Sequence, residues 1–241
     1  MKKLYITLII MIVIFSFACR TSSLNQTARI IDQNSSEISG TYGFYNGLVY
    51  GNMPMFGTSG GFLLRYGATD LFEYQFYTEL QCLFTPYGIV NSNPYTSFSS
   101  TFYADNQFKI NLYKSDKVFL SLLPTLGFQL NYRPHTLLGV GYTLGLKLIG
   151  DYSLNQSVVF YYGPNLSIIG NGYAFRNNYG HEYIPEINVG FAWGWEIPKP
   201  SFMVLRHEFG ISTTFTPGPY CVPTVNMTYS ATIGKTYESI K

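Results

Sequence analysis

The chain has 241 residues, of which 12% are charged and 18% aromatic, with 22 Tyr, 19 Phe, 23 Gly and a formal net charge of +2. Soluble domains carry about 25% charged residues, so an ordinary water-facing surface is excluded; so is a nucleic-acid footprint, because no Lys/Arg cluster falls on a periodic element. One β-rich unit in contact with lipid fits the profile, and no shift in composition divides the mature chain into two domains.

Residues 1–18 open with Lys2 and Lys3 and continue as an apolar run from Leu4 to Ala18. That run is shorter than the roughly 20 residues of a spanning helix and ends in small residues, which predicts a secretory signal peptide cleaved after Ala18. Ser16-Phe17-Ala18-Cys19 resembles a bacterial lipobox, with Ser16 where that motif usually has Leu. The resemblance implies that Cys19 becomes an acylated amino terminus; the competing reading is an unmodified Cys beside the cleavage site. Residues 19–38 are polar and rich in Ser and Asn, as in "NQTARIIDQNSSE", and are expected to form a flexible tether. The other two cysteines, Cys82 and Cys221, fall on strands expected not to be neighbours, so free thiols are favoured over a disulfide.

From residue 39 onward apolar and polar residues alternate with a period of two between turn signals, and almost no stretch keeps a helical period. This predicts an all-β domain over 39–237, with 238–241 as a tail. Ten strands are expected: 39–51, 58–67, 70–85, 97–113, 117–132, 136–150, 156–169, 182–196, 201–215 and 223–237, with eight or twelve as the neighbouring even counts. Most exceed the roughly five or six residues of soluble strands and reach the roughly 9–11 that a tilted membrane-crossing strand needs. After the second, fourth, sixth and eighth strands the connections are tight: "ATD" (68–70), "KSD" (114–116), "DYSLN" (151–155) and "IPKP" (197–200). The remaining connections are more variable and include "PYGIVNSNPYT" (86–96) and "GNGYAFRNNYGH" (170–181). Tight turns at one end and longer loops at the other are typical of outer-membrane barrels, whose short turns are periplasmic, and an even strand count returns both termini to that side. A soluble up-and-down barrel could share the asymmetry, so the chemistry of the two faces has to decide.

The third strand sets Phe72, Tyr74, Phe76, Leu80, Cys82 and Phe84 against Glu73, Gln75, Tyr77, Glu79 and Gln81. The sixth sets Leu, Val and Tyr against Gly, Thr and Lys147; the eighth sets Ile187, Val189, Phe191, Trp193 and Trp195 against Asn188, Gly190, Ala192, Gly194 and Glu196. Small residues with sparse charges suit a narrow interior better than a solvated outside. Arg65, Lys109, Lys147 and Arg206 share these faces with Glu73, Glu79, Glu196 and Glu208, so a closed lumen can pair them. Tyr66, Phe72, Tyr113, Tyr152, Trp195 and Tyr237, near strand ends on the apolar faces, predict an interfacial girdle. The alternative is that these aromatics fill a soluble core.

"RYGATDLFEYQF", "NLYKSDKVFLSLLPTLGF" and "YSLNQSVVFYYGP" resemble the strand-turn-strand units of bacterial outer-membrane β-barrel proteins. The resemblance covers about 39–237 and implies a single antiparallel up-and-down transmembrane barrel in the outer membrane. Such families often end on a terminal aromatic, whereas here Tyr237 is followed by "ESIK".

No phosphate loop, dinucleotide fingerprint, zinc spacing or nucleophile elbow is present, so no cofactor, metal or catalytic residue is assigned. His135 and His181, the latter beside Glu182, fall in the expected outer loops and mark the one candidate rim site. His207 shares an apolar face with Met203, Leu205, Phe209 and Ile211, either as a tolerated neutral His or as a contact with a partner subunit. The expected partners are outer-membrane lipid and an unidentified surface ligand. Three functional classes follow, in this order: a structural or surface-interaction barrel, a narrow pore for small solutes, and a rim enzyme such as a protease or lipid A hydrolase.

Overall fold

The computed structural model describes residues 24–49, 53–90, 93–133, 136–155, 158–174, 181–199, 203–215 and 224–237. Ten strands form: β1 (Ser36–Val49), β2 (Met53–Gly67), β3 (Phe72–Val90), β4 (Asn93–Lys114), β5 (Val118–Arg133), β6 (Thr136–Asn155), β7 (Val158–Ala174), β8 (His181–Lys199), β9 (Met203–Phe215) and β10 (Thr224–Tyr237). Each pairs antiparallel with its neighbours in sequence, and β1 pairs with β10 to close a barrel. Closure leaves no strand edge unpaired, which is what a sheet surrounded by hydrocarbon requires.

The strands are inclined to the barrel axis. Paired residues traced round the wall from Glu37 run through Arg65, Gln75, Gln107, Thr125, Gly145, Ser167, Asn188 and Thr214 to Thr224, which lies beside the far end of β1. Every side chain on that path is polar or a glycine. Because facing residues keep the same parity, a single slip in register would turn a strand's whole polar row outward.

The two faces settle the question left by composition. Glu73, Gln75, Tyr77, Glu79 and Gln81 of β3 are buried, whereas Tyr74, Leu80 and Phe84 are exposed. On β6, Val140, Tyr142, Leu144 and Leu146 are exposed and Thr143 and Ile149 buried; on β8, Ile187, Val189 and Phe191 are exposed and Asn188 and Ala192 buried. A soluble barrel has the reverse arrangement, with its apolar face inside. Tyr66, Tyr113, Tyr152 and Tyr237 face outward near the end of the barrel where β1 begins and β10 finishes, and Phe72 and Trp195 lie half-buried on the same outer face. The outward tyrosines provide rings for an apolar slab and hydroxyls for its wet boundary.

Several boundaries differ from expectation. The 86–96 segment is mostly a hairpin, since β3 runs to Val90 and β4 starts at Asn93, with a register shift between Thr85 and Gly88. "DYSLN" is the end of β6 and not a turn, so Asp151 points into the lumen. Similarly β8 extends to Lys199, through most of "IPKP". Gly, Pro, Asn and Ser signal turns locally, but a ladder already aligned on both sides can carry them forward as strand.

The largest departure concerns residues 19–38. Strand β1 begins at Ser36, and 24–28 are not a tether in solvent: Leu24, Asn25, Gln26, Thr27 and Ala28 are all buried. A turn at Asp32 to Asn34, with Asn34 at φ 62°, sends the chain from the start of β1 back into the lumen. Asn is among the few non-glycine residues that adopt this left-handed conformation readily.

Interior glycines make room for large side chains. A Cβ on Gly57 would lie 2.0 Å from the Tyr45 ring, and one on Gly194 would lie 2.8 Å from the Tyr161 ring. Outward-facing Gly60 has nothing within 4 Å. Gly57→Val is therefore expected to abolish the heat-modifiable folded band on a semi-denaturing gel, while Gly60→Val retains it.

Candidate functional site in the lumen

The lumen is built by inward residues of nearly every strand, and its centre is a network of buried ions. Glu37 of β1 accepts from Arg206 Nη1 at 2.6 Å and Nη2 at 2.9 Å, and from Arg65 Nη1 at 2.8 Å. Arg65 also donates from Nε and Nη2 to both oxygens of Glu73, at 2.7 and 3.0 Å. Lys109 Nζ lies 3.3 Å from Glu73, and Arg206 Nε donates to Glu196 at 2.7 Å. Ser39 and Gln75 add hydrogen bonds to the Glu37 and Glu73 carboxylates. Removing such charges from water is costly, and forked guanidinium-carboxylate pairs offset that cost only when the remaining lone pairs and protons are also satisfied.

Five of the eight expected lumen charges thus fall in one network: Arg65, Glu73, Lys109, Glu196 and Arg206. Glu208 is buried one inward position farther along β9, where it holds the amino-terminal segment. Glu79 is buried farther along β3, and Lys147 lies half-buried on the inner face of β6. Glu37, the hub of the network, was assigned by sequence to the tether. Carrying the alternation of β1 backward from Tyr45, Gly43, Thr41 and Ser39 would have found it. Asp151 was missed because its segment reads as a turn. Asp105 faces inward on β4 in the same row as Lys109.

The amino-terminal segment threads this charged interior, and the wall grips it mostly by its main chain. The Glu208 carboxylate accepts from the backbone N–H of Leu24 at 2.8 Å and of Asn25 at 2.9 Å. Asp151 accepts from Arg29 N–H and Glu73 from Ile31 N–H, at 3.2 and 2.9 Å. In the opposite sense Lys109 Nζ donates to the carbonyls of Thr27 and Arg29, Arg65 donates to Arg29, and Ser121 donates to Ala28. Side chains add fewer contacts. Gln26 and Gln75 exchange amide hydrogen bonds; Arg29 lies 3.6 Å from Asp151, bonds Ser153 and covers the Phe119 ring at 4.7 Å. Leu24 and Ala28 pack with Leu123, Ile149, Tyr161 and Ala192, an apolar patch inside a mostly polar lumen.

His207 faces outward, where its Nδ1 lies 2.8 Å from the Tyr229 hydroxyl, its ring stacks on Tyr229 and the tilted Trp195 ring lies beside it. A hydroxyl partner and flanking rings accommodate this side chain on the apolar face. Cys19, Cys221 and His135 lie outside the described residues, as do the side chains of His181 and Glu182; Cys82 is a free, half-buried thiol. Among the described residues no group of three His, Cys, Asp or Glu side chains could hold a metal ion.

Solved structures with the same architecture include an outer membrane channel from Pseudomonas putida F1, with a TM-score of 0.52 and 10% identity over 87% of this chain and 98% of that one. The translocator domain of autotransporter NalP from Neisseria meningitidis matches with a TM-score of 0.51 and 12% identity, over 86% of this chain and 89% of that one. The fold is that of an outer-membrane β-barrel. No protein-family model matches the chain, and no curated protein sequence does.

Three variants test the lumen geometry, one of them a control on the outer face. Glu37→Gln, which leaves two buried guanidiniums facing a neutral amide, is expected to cost about 3–5 kcal/mol in urea unfolding of the barrel in detergent. Lys235→Gln removes only an exposed ammonium over the Tyr237 ring and is expected to cost under about 1 kcal/mol. Glu208→Gln weakens two charge-assisted bonds, so amide exchange at Leu24 and Asn25 is expected to speed up about tenfold while β5 amides are unchanged.

Proposed function

We propose that this chain is a bacterial outer-membrane barrel of structural or surface-interaction type, whose lumen is closed by its own amino-terminal segment. The observation that carries the reading is the occupied ionic interior. At the level of the charged network, Glu73, Lys109, Gln75, Gln26 and Ala28 each have 0% of their surface accessible, which leaves no water-sized passage beside them. Its apolar outside matches hydrocarbon, and the tyrosine-rich end fits a membrane boundary. With both termini at the end of the tight turns, that end is assigned to the periplasm, and the opposite hairpins, including β3–β4 and β7–β8, to the cell surface. Cys19 is the proposed point of acylation. The solute-pore reading ranks second, since a pore would need the segment to leave. A rim enzyme ranks third, as the sequence carries no catalytic motif.

Planar-bilayer recordings of the wild-type barrel are expected to show no single-channel steps above background; regular steps in the wild type would overturn the closed-lumen reading. Membrane fractionation with acyl labelling is expected to place the wild type in the outer membrane with label, and Cys19→Ala without it. A chain that fractionates with the outer membrane but never takes label removes the lipidation and leaves the barrel.

A further inference from the structure

We infer that the lumen is a binding site for a bent polypeptide segment, and that residues 24–31 are its resident, exchangeable ligand and not a fixed part of the wall.

The wall is complete without them. All ten strands pair with one another, and the segment adds no strand to the sheet. Its bonds to the rim are Asn34 N–H to the Gly67 carbonyl and Gly67 N–H to the Ser35 carbonyl, both beyond the threaded stretch. Glu37 is held by Arg65 and Arg206, and Glu196 by Arg206, and none of these pairs passes through the segment. Removing the segment would leave those pairs, and the Arg65–Glu73 pair, in place. The groups that hold its main chain (Glu208, Asp151, Glu73, Arg65, Lys109 and Ser121) would exchange a peptide N–H or carbonyl for water.

The recognition chemistry also belongs to a peptide site. Carboxylates meet N–H groups and an ammonium and a hydroxyl meet carbonyls along the path. Such contacts read a main chain that turns at Asn25, with φ 56°, and are indifferent to most of its side chains. Selectivity comes from two places. Arg29 fits a pocket of Asp151, Ser153 and Phe119 that supplies a charge, a hydroxyl and a ring face. Ala28, with none of its surface accessible, leaves no space for a larger residue before that arginine. The ligand class is thus a peptide with a small residue preceding an arginine, and an amide side chain two residues before the small one to meet Gln75.

The test uses the full chain with a site-specific protease sequence inserted after exposed Gln33. The barrel is folded in detergent, cut, washed, and titrated with a fluorescent peptide, LNQTARIIDQ. Saturable anisotropy is expected for the cut barrel and not for the uncut one. Peptides carrying Arg29→Glu or Ala28→Leu are expected to bind at least about tenfold more weakly, and Asp151→Asn in the barrel to weaken the parent peptide similarly. Refolding the uninserted wild type from urea with excess labelled peptide gives a second readout, since peptide and resident segment then compete. A cut segment that stays bound through washing, an absence of saturable binding, or binding indifferent to the Arg29 and Ala28 changes would each overturn the proposal.

Discussion

The carboxylate of Glu37 lies between two guanidiniums, one from β2 and one from β9, and the interior is organised around that clamp. Glu37 stands on β1, the strand that meets β10 to close the sheet, so its pair with Arg206 of β9 spans the seam while its pair with Arg65 ties β1 to β2. From there the charges continue through Glu73 to Lys109 and through Arg206 to Glu196. Glu37 and Glu73 each have more than one donor, which is the condition for holding ions away from water without a large net penalty. The apolar exterior places the barrel in lipid, whereas this polar interior brings together residues that are distant in sequence.

Much of the architecture was legible in the sequence because a barrel wall repeats one local rule. The period of two, the tyrosines near strand ends and the polar rows containing Arg65, Glu73, Lys109 and Arg206 all follow from residues facing oil on one side and a narrow polar space on the other. What escaped was non-local. Glu37 belonged to a segment whose composition resembles a linker, and nothing nearby in sequence reveals that Arg206, 169 positions away, will pair with it. The threaded stretch was illegible for a related reason. Asn, Gln, Thr and Arg read as solvated residues, but the solvent they replace is a lumen already supplied with carboxylates, an ammonium and amides. Asp151 shows the same limit on a smaller scale, since turn-like residues become strand when both neighbours hold the ladder in place.

The interior also has two kinds of polarity that differ in purpose. The pairs of Glu37 with Arg65 and Arg206 link wall to wall and behave as structure. Glu208 and Asp151, by contrast, direct carboxylate oxygens toward peptide N–H groups, a pairing that any peptide main chain can offer. The apolar patch of Leu123, Ile149, Tyr161 and Ala192 belongs with the second set, because its inward position gives the segment's Leu24 and Ala28 somewhere dry to rest.

The turn at Asp32 to Asn34 is rooted on β1, whose pairing with β10 joins residues about two hundred positions apart, as in Ser36 with Tyr237. Contacts of that separation are the costliest to form early in folding. A meander growing from β2 to β10 would thus remain an open, curling sheet until the end, with the amino-terminal stretch lying across its concave face. The last pairing would then enclose a strand of polypeptide already in place, and assembly would require no threading of a chain end through a finished ring.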